Sequence, residues 1–163
     1  MNRTQLNEAI WAQHVPMLRL AMSILRHTQN AEDAVSQAVV SAYQKAHTLR
    51  DDAAVKPWLL TITARCCYDL LRRARRECLM DEMPEAYSPF LEPLGSTVFA
   101  KLSQLPSNQA QVLTLYYYEN FSTEEIAQVL GIPRATVSMR MSRGRRKLKE
   151  LLMEDEREEN GNE

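Results

Sequence analysis

Along the first 76 residues apolar side chains return at helical intervals and never alternate as they would on a strand. Trp11, Val15, Leu18, Met22 and Leu25 recur at steps of 4, 3, 4 and 3, which predicts a helix with one buried stripe that Pro16 should start or kink. Asn30 reads as the N-cap of a second helix, with Asp33 at its third position, Val35, Val39, Ala42 and Ala46 turned inward, and an end near His47. The stretch 47–56, HTLRDDAAVK, is polar and predicts a loop. Pro57 suits the first turn of a third helix, and the pattern from Trp58 to Arg76 meets no breaker, with Leu59, Ile62, Cys66 and Leu70 on its buried side. Three helices of this length make a small bundle.

The pattern then fails. Pro84, Pro89, Pro93, Gly95 and Ser96 interrupt residues 77–96, which read as a flexible linker. Helical spacing resumes from Val98 to Gln104, and Leu105-Pro106-Ser107 opens a further helix through Tyr118, with two more to follow. Nothing reads as a strand pair. The expected fold class is all-α: a helical domain over 1–76, the linker 77–96, a second helical domain over 97–153, and a tail over 154–163.

Composition narrows the class. Only 4 glycines in 163 residues leave little material for phosphate-cradling loops, and no G-x-S-x-G or H-E-x-x-H occurs, so no catalytic site and no cofactor are expected. No apolar run approaches a membrane span and the N-terminus lacks a signal core, which predicts a soluble, cytoplasmic protein. Cys66, Cys67 and Cys78 are odd in number and sit in an Arg-rich helical pattern. Reduced thiols are expected, and no metal site, because adjacent helical cysteines diverge by about 100° and the spacing fits no zinc pattern.

The net charge of −1 hides a blocked distribution. Arg72, Arg73, Arg75 and Arg76 fall within five positions; Arg134, Arg140, Arg143, Arg145, Arg146, Lys147 and Lys149 follow one another with no intervening acid; residues 150–163 are then acidic except for Arg157. Two basic blocks point to a polyanion touched at two places. The acidic tail reads as a solvated terminus, or as a screen for the basic helix before it.

Within 121–152, Ser122-Thr123-Glu124-Glu125 forms a capping box, Ile126, Ala127 and Leu130 face a core, and Gly131 sits where a tight turn needs a left-handed residue. Pro133 reopens a helix that buries Val137, Met141 and Leu148. A short helix, a tight turn and a basic second helix make a helix-turn-helix, whose outer residues Arg134, Thr136, Ser138, Arg140 and Arg143 can reach base edges or phosphates in a major groove. An ordinary helical hairpin with a solvated basic face is the plainer reading, and it leaves seven uninterrupted bases unexplained.

On the third helix Thr61, Arg65, Tyr68 and Arg72 step by 4, 3 and 4 onto one positive face. A ring among guanidiniums suits unstacked nucleic acid; the same face also reads as a basic helix end complementing its own dipole. On the second helix Asp33, Ser36, Gln37 and Ser41 share a polar face of the kind that is usually only solvated.

Three stretches carry a resemblance to the extracytoplasmic-function group of bacterial RNA polymerase sigma factors. AEDAVSQAVVSAYQKA (31–46) and KPWLLTITARCCYDLLRRARR (56–76) resemble the family's region 2, and LPSNQAQVLTLYYYENFSTEEIAQVLGIPRATVSMRMSRGRRKLKELL (105–152) resembles its region 4, together about 85 of 163 residues. The resemblance implies a factor that binds polymerase core through the β′ clamp helices and the β flap, and directs initiation at promoter DNA. By it, Asp33, Ser36 and Gln37 align with the core-gripping face, Thr61, Arg65, Tyr68 and Arg72 with the −10 surface, and Arg134, Thr136, Ser138, Arg140 and Arg143 with the −35-reading surface. The loop 47–56 aligns with the segment that captures an unstacked promoter base. Departures are visible: Ser36 and Gln37 stand where the family commonly has Gln and an acid, Val39 where it has Phe, Arg65 where many members have Asn, and Ser138 where Lys is frequent. The resemblance also implies an anti-sigma partner, tethered at the membrane, that occludes Asp33, Gln37 and the recognition helix together. The alternative, a stand-alone helix-turn-helix regulator, would need a dimerisation or sensing domain, where residues 1–76 offer a small bundle.

Overall fold

The structure, a computed structural model, describes residues 1–77 and 97–161; of the expected linker Glu77 ends a helix, and its residues 78–96, Cys78 among them, and the last two residues of the chain lie outside the described ones. Among the described residues there are helices and two short 3-10 turns, and no strand.

Helix α1 (Arg3–Leu25) opens on a capping box in which the Asn2 side chain accepts from the Gln5 amide and the Gln5 side chain accepts from the Asn2 amide. Pro16 lies inside this helix and neither starts nor ends it. The predicted stripe is displaced at its start: Trp11 is 78% exposed and Val15 39%, while Leu6, Ile10, Met17, Leu20, Ala21 and Ile24 are buried together with the expected Met22 and Leu25. The expected stripe holds in the second half of α1, where Met22 and Leu25 are buried and Leu18 is half-buried, and fails in the first half, where Leu6 and Ile10 face the core in place of Trp11 and Val15.

Helix α2 (Thr28–Gln44) begins earlier than expected, because His27 rather than Asn30 is its cap: the His27 Nδ1 accepts from the Asn30 amide at 3.2 Å. Ala31, Ala34, Val35, Ala38 and Ala42 are buried, and these small side chains let α2 approach α1 and α3 closely. Ala46, expected on this helix, falls in a 3-10 turn, Ala46–Thr48, and a second turn, Asp52–Ala54, shapes the expected loop. Trp58 donates its indole N–H to Thr48 Oγ1 at 3.2 Å, tying that loop to α3. Helix α3 (Val55–Glu77) buries Leu59, Leu60, Ile62, Thr63, Ala64 and Cys67; Cys66, predicted inward, is only half-buried.

The second half comprises α4 (Thr97–Leu102), α5 (Ser107–Glu119), α6 (Thr123–Leu130) and α7 (Arg134–Gly161). Ile126, Val129 and Leu130 of α6 and Val137, Met141 and Leu148 of α7 close a core around α5. The acidic segment continues α7 as helix to Gly161, so it runs on beyond the basic block instead of turning back to cover it. Asp155 pairs with Lys101 at 2.5 Å and fastens this end of α7 to α4.

The halves are packed on each other, α1 and α3 against α5 and α6. Residues 110–115 of α5 are all buried, which a helix in a one-sided bundle does not do.

Two glycines test the packing. Gly131 has φ +68° and open space around a would-be Cβ, so Gly131→Asn should keep most of the stability and Gly131→Val should lose about 1–2 kcal/mol through backbone strain alone. At Gly144 a Cβ would come within 2.8 Å of Leu113 Cδ1 and 3.3 Å of Gln109 Cβ. Gly144→Val is therefore expected to cost about 1–3 kcal/mol in urea unfolding by forcing α7 off α5.

Candidate nucleic-acid interface

The turn between α6 and α7 follows from local chemistry. Ser122 Oγ accepts from the Glu125 amide and the Glu125 carboxylate accepts from the Ser122 amide, both at 3.1 Å, completing the predicted capping box. Gly131 closes α6 in the left-handed conformation, and its amide returns to the Ala127 carbonyl. Ile132, whose own amide also reaches the Ala127 carbonyl, and Pro133 then launch α7. With Val137 and Met141 facing the core, Arg134, Ser138 and Arg143 are exposed and Thr136 and Arg140 half-exposed. Arg134 donates to Glu124 at 3.0 Å across the turn; both side chains are solvated, so a phosphate can displace this pair at little cost. Arg145 lies over the Tyr116 ring, 4.7 Å from its centroid, and lines a shallow groove with Thr123, Ser138, Met141 and Ser142.

The α3 residues do not all share the surface. Arg65 and Arg72 are exposed, and Arg72 pairs with Asp69 one turn back. Thr61 turns its hydroxyl into the helix, donating to the Pro57 carbonyl at 2.8 Å. Tyr68, expected beside the arginines, is half-buried and donates its hydroxyl to Gln111 Oε1 of α5, in the other half of the molecule, at 2.6 Å. Burial pushes the Tyr68 phenol up to about 12, further raised by Cys67 and opposed by the nearby charge of Arg140. That charge places α7 within electrostatic reach of α3.

On α2, Asp33, Ser36 and Gln37 are exposed together, with Gln29 donating to Asp33 Oδ1 at 3.0 Å. This face lies opposite the side that α2 packs on α1 and α3. The thiols show no activation: burial raises Cys66 despite a hydrogen bond with Ser41, and burial raises Cys67 further.

Sequence reasoning missed the polar contacts between the halves. Glu119, at the end of α5, is buried and receives Arg19 of α1 at 3.1 Å and Lys56 of α3 at 2.7 Å. Gln111 passes the Tyr68 bond on, donating to Ser107 Oγ at 3.0 Å, and Ser107 donates to the Ser23 carbonyl of α1 at 2.8 Å. Arg26, itself left-handed at φ 56°, donates to the Leu105 carbonyl. Each of these residues looks like an ordinary surface side chain, because its partner belongs to the other half.

Two family descriptions match the chain: Sigma-70 region 2 over residues 10–77, and Sigma-70, region 4 over residues 98–148. The ECF RNA polymerase sigma factor SigM of Mycobacterium tuberculosis is 33% identical over 142 residues, 85% of this chain and 72% of its own. The ECF RNA polymerase sigma factor SigM of Bacillus subtilis is 26% identical, covering 82% of this chain and 86% of its own. Among solved structures, the sigma factor RpoE of Bartonella quintana, in complex with the anti-sigma factor NepR, superposes with a TM-score of 0.73 at 29% identity, over 85% of this chain and 91% of that one. Region 2 thus falls on the bundle α1 to α3, region 4 on the helix-turn-helix unit α4 to α7, and the chain belongs to the ECF RNA polymerase sigma factors.

Proposed function

We propose that this sigma factor docks on RNA polymerase core through Asp33, Ser36 and Gln37 of α2, engages the −10 element through Arg65, Tyr68 and Arg72 with Thr61 behind them, and reads the −35 duplex through Arg134, Thr136, Ser138, Arg140 and Arg143. The observation that carries the reading is the α6–Gly131–α7 turn, which leaves those five α7 residues on the outer side of one helix while Val137 and Met141 anchor it. The chain acts as an initiation factor rather than an enzyme, and its place of work is the cytoplasm, where polymerase is. No helix among the described residues is long and apolar enough to cross a membrane.

The division into a region 2 unit over 1–76 and a region 4 unit over 97–153 assigns core binding and melting to the first and duplex reading to the second. Arg65 contributes a charge where many relatives have an amide, so its contact is to the strand backbone more than to a base edge. The complex of the Bartonella relative with NepR supports an anti-sigma partner for this chain as well, covering Asp33, Gln37 and the recognition helix.

Promoter-specific transcripts should appear when the protein is added to polymerase core from its host, on DNA upstream of its own gene; their absence would defeat the reading. In such a holoenzyme, Arg140→Ala is expected to weaken −35 binding by about 1–3 kcal/mol if the side chain meets a base, and Arg143→Ala to lower the salt slope by about 1 if it meets a phosphate. Arg65→Ala should leave −35 affinity intact and reduce permanganate-detected melting. Parallel loss of both properties in all three variants would refute the division of labour.

A further inference from the structure

Helix α7 carries one large apolar side chain that its core does not use. Over residues 134–148 Val137, Met141 and Leu148 are buried, whereas Met139, between the first two, is 47% exposed. At about 100° per residue Met139 is turned about 200° from Val137 and about 200° the other way from Met141, so it points directly away from the core they enter. Ala135, one turn earlier on the same line, is exposed as well. The crest of α7, the line farthest from its own domain, is therefore apolar over the first two turns and turns basic at Arg143 and Arg146, both exposed.

The flanks of this crest are polar. Thr136 and Arg140 lie half-exposed on one side, and on the other Ser138 and Ser142 border the shallow groove that Thr123, Met141 and Arg145 complete. A single exposed apolar residue on a helix is ordinary. Met139 differs in its place: it stands with Ala135 on the line that enters deepest when the start of a recognition helix lies in a major groove, and the cations around it suit a polyanion.

Base chemistry names what such a crest can meet. In the major groove all four bases show hydrogen-bonding groups, and thymine alone adds a methyl group. An apolar side chain pressed on that methyl takes both out of water, a gain of about fourfold in affinity for one methyl-sized contact. Set against cytosine, the same side chain covers the N4 amino donor and leaves it without a partner, which penalises the wrong base. Methionine, unbranched and flexible, can follow the methyl through small changes of register.

We infer that Met139, with Ala135 beside it, is a specificity-determining residue of the −35 surface that selects a thymine by its C5-methyl group. The inference rests on the −35 reading of α7 above and adds the base chemistry that the helix demands.

The test uses holoenzyme formed from the full chain and polymerase core of its host, bound to the DNA upstream of its own gene. Across the −35 element each thymine is replaced in turn by deoxyuridine, which keeps every hydrogen-bonding group and lacks only the methyl. At one thymine, or at two neighbouring ones, the wild type should lose about fourfold in affinity. Met139→Gln, which keeps the length and helical preference of the side chain, should lose about as much on unmodified DNA and nothing further on the deoxyuridine DNA, so that the two losses do not add. Met139→Leu should retain the methyl dependence, and both variants should keep the helix content of the wild type by circular dichroism. The inference is overturned if no thymine is methyl-dependent, if Met139→Gln binds as tightly as the wild type or stays as sensitive to deoxyuridine, or if either variant loses helix content, which would mean that the side chain is packed and not presented. Scrambling the whole −35 element separates this from the broader reading. Undiminished binding to scrambled DNA defeats the −35 reading itself, whereas an element that matters without methyl dependence at Met139 removes only the thymine assignment.

Discussion

Two helices with no free side over six residues each dictate the arrangement of everything else. Residues 20–25 of α1 and 110–115 of α5 are buried all round, so each must be enclosed by its own unit on one side and by the other unit on the opposite side. Leu20, Ile24, Leu113 and Leu115 supply the apolar contact, and the polar groups that accompany them, Ser23, Gln111, Thr114 and Glu119, are buried with them. A buried polar group without a partner costs on the order of 1–3 kcal/mol, and Gln111 and Glu119 find theirs across the junction, whereas the Ser23 hydroxyl donates to the Leu20 carbonyl of its own helix. The junction is accordingly held by apolar burial and fixed in register by its polar pairs.

That mixed character explains what could be read in the chain and what could not. The capping box at Ser122, the left-handed Gly131 and the anchors Val137, Met141 and Leu148 are local or one-helix features, and all stand where their spacing puts them. The exposed α2 face and the basic outer side of α7 were legible for the same reason. Trp11 was misplaced because a large apolar residue at helical spacing looks like core, whereas Ile10 and Met17 carry the stripe that meets the bundle. His27 was overlooked as a cap, since a ring nitrogen serves that role less often than the amide of Asn30. Glu119 and Gln111 were beyond reach, because nothing within ten residues of either reveals a partner about a hundred or forty positions away.

Region 2 and region 4 also differ in how they present charge. On α3 the exposed arginines cluster toward the helix end, where they complement the negative end of its dipole and are already partly balanced, Arg72 by Asp69. On α7 the basic residues occupy the first sixteen positions, so side-chain charge and helix dipole add where phosphates would approach. The two halves thus present positive charge in different settings, one already partly balanced by an acid and the other reinforced by its helix dipole.

The length of α7 gives that polarity a further meaning. Its 28 residues form a rod of about 42 Å, positive over its first half and negative over its second. In the field of a polyanion such a rod experiences a torque before it touches anything: the leading end is drawn in and the trailing end is pushed off. Docking orientations that would lay the whole helix along the groove, or present it backwards, are disfavoured in advance. The continuation of the helix past the basic block, with Asp155 fastened to Lys101, keeps the acidic charges at a fixed lever arm instead of letting them collapse onto the exposed basic residues of its first turns.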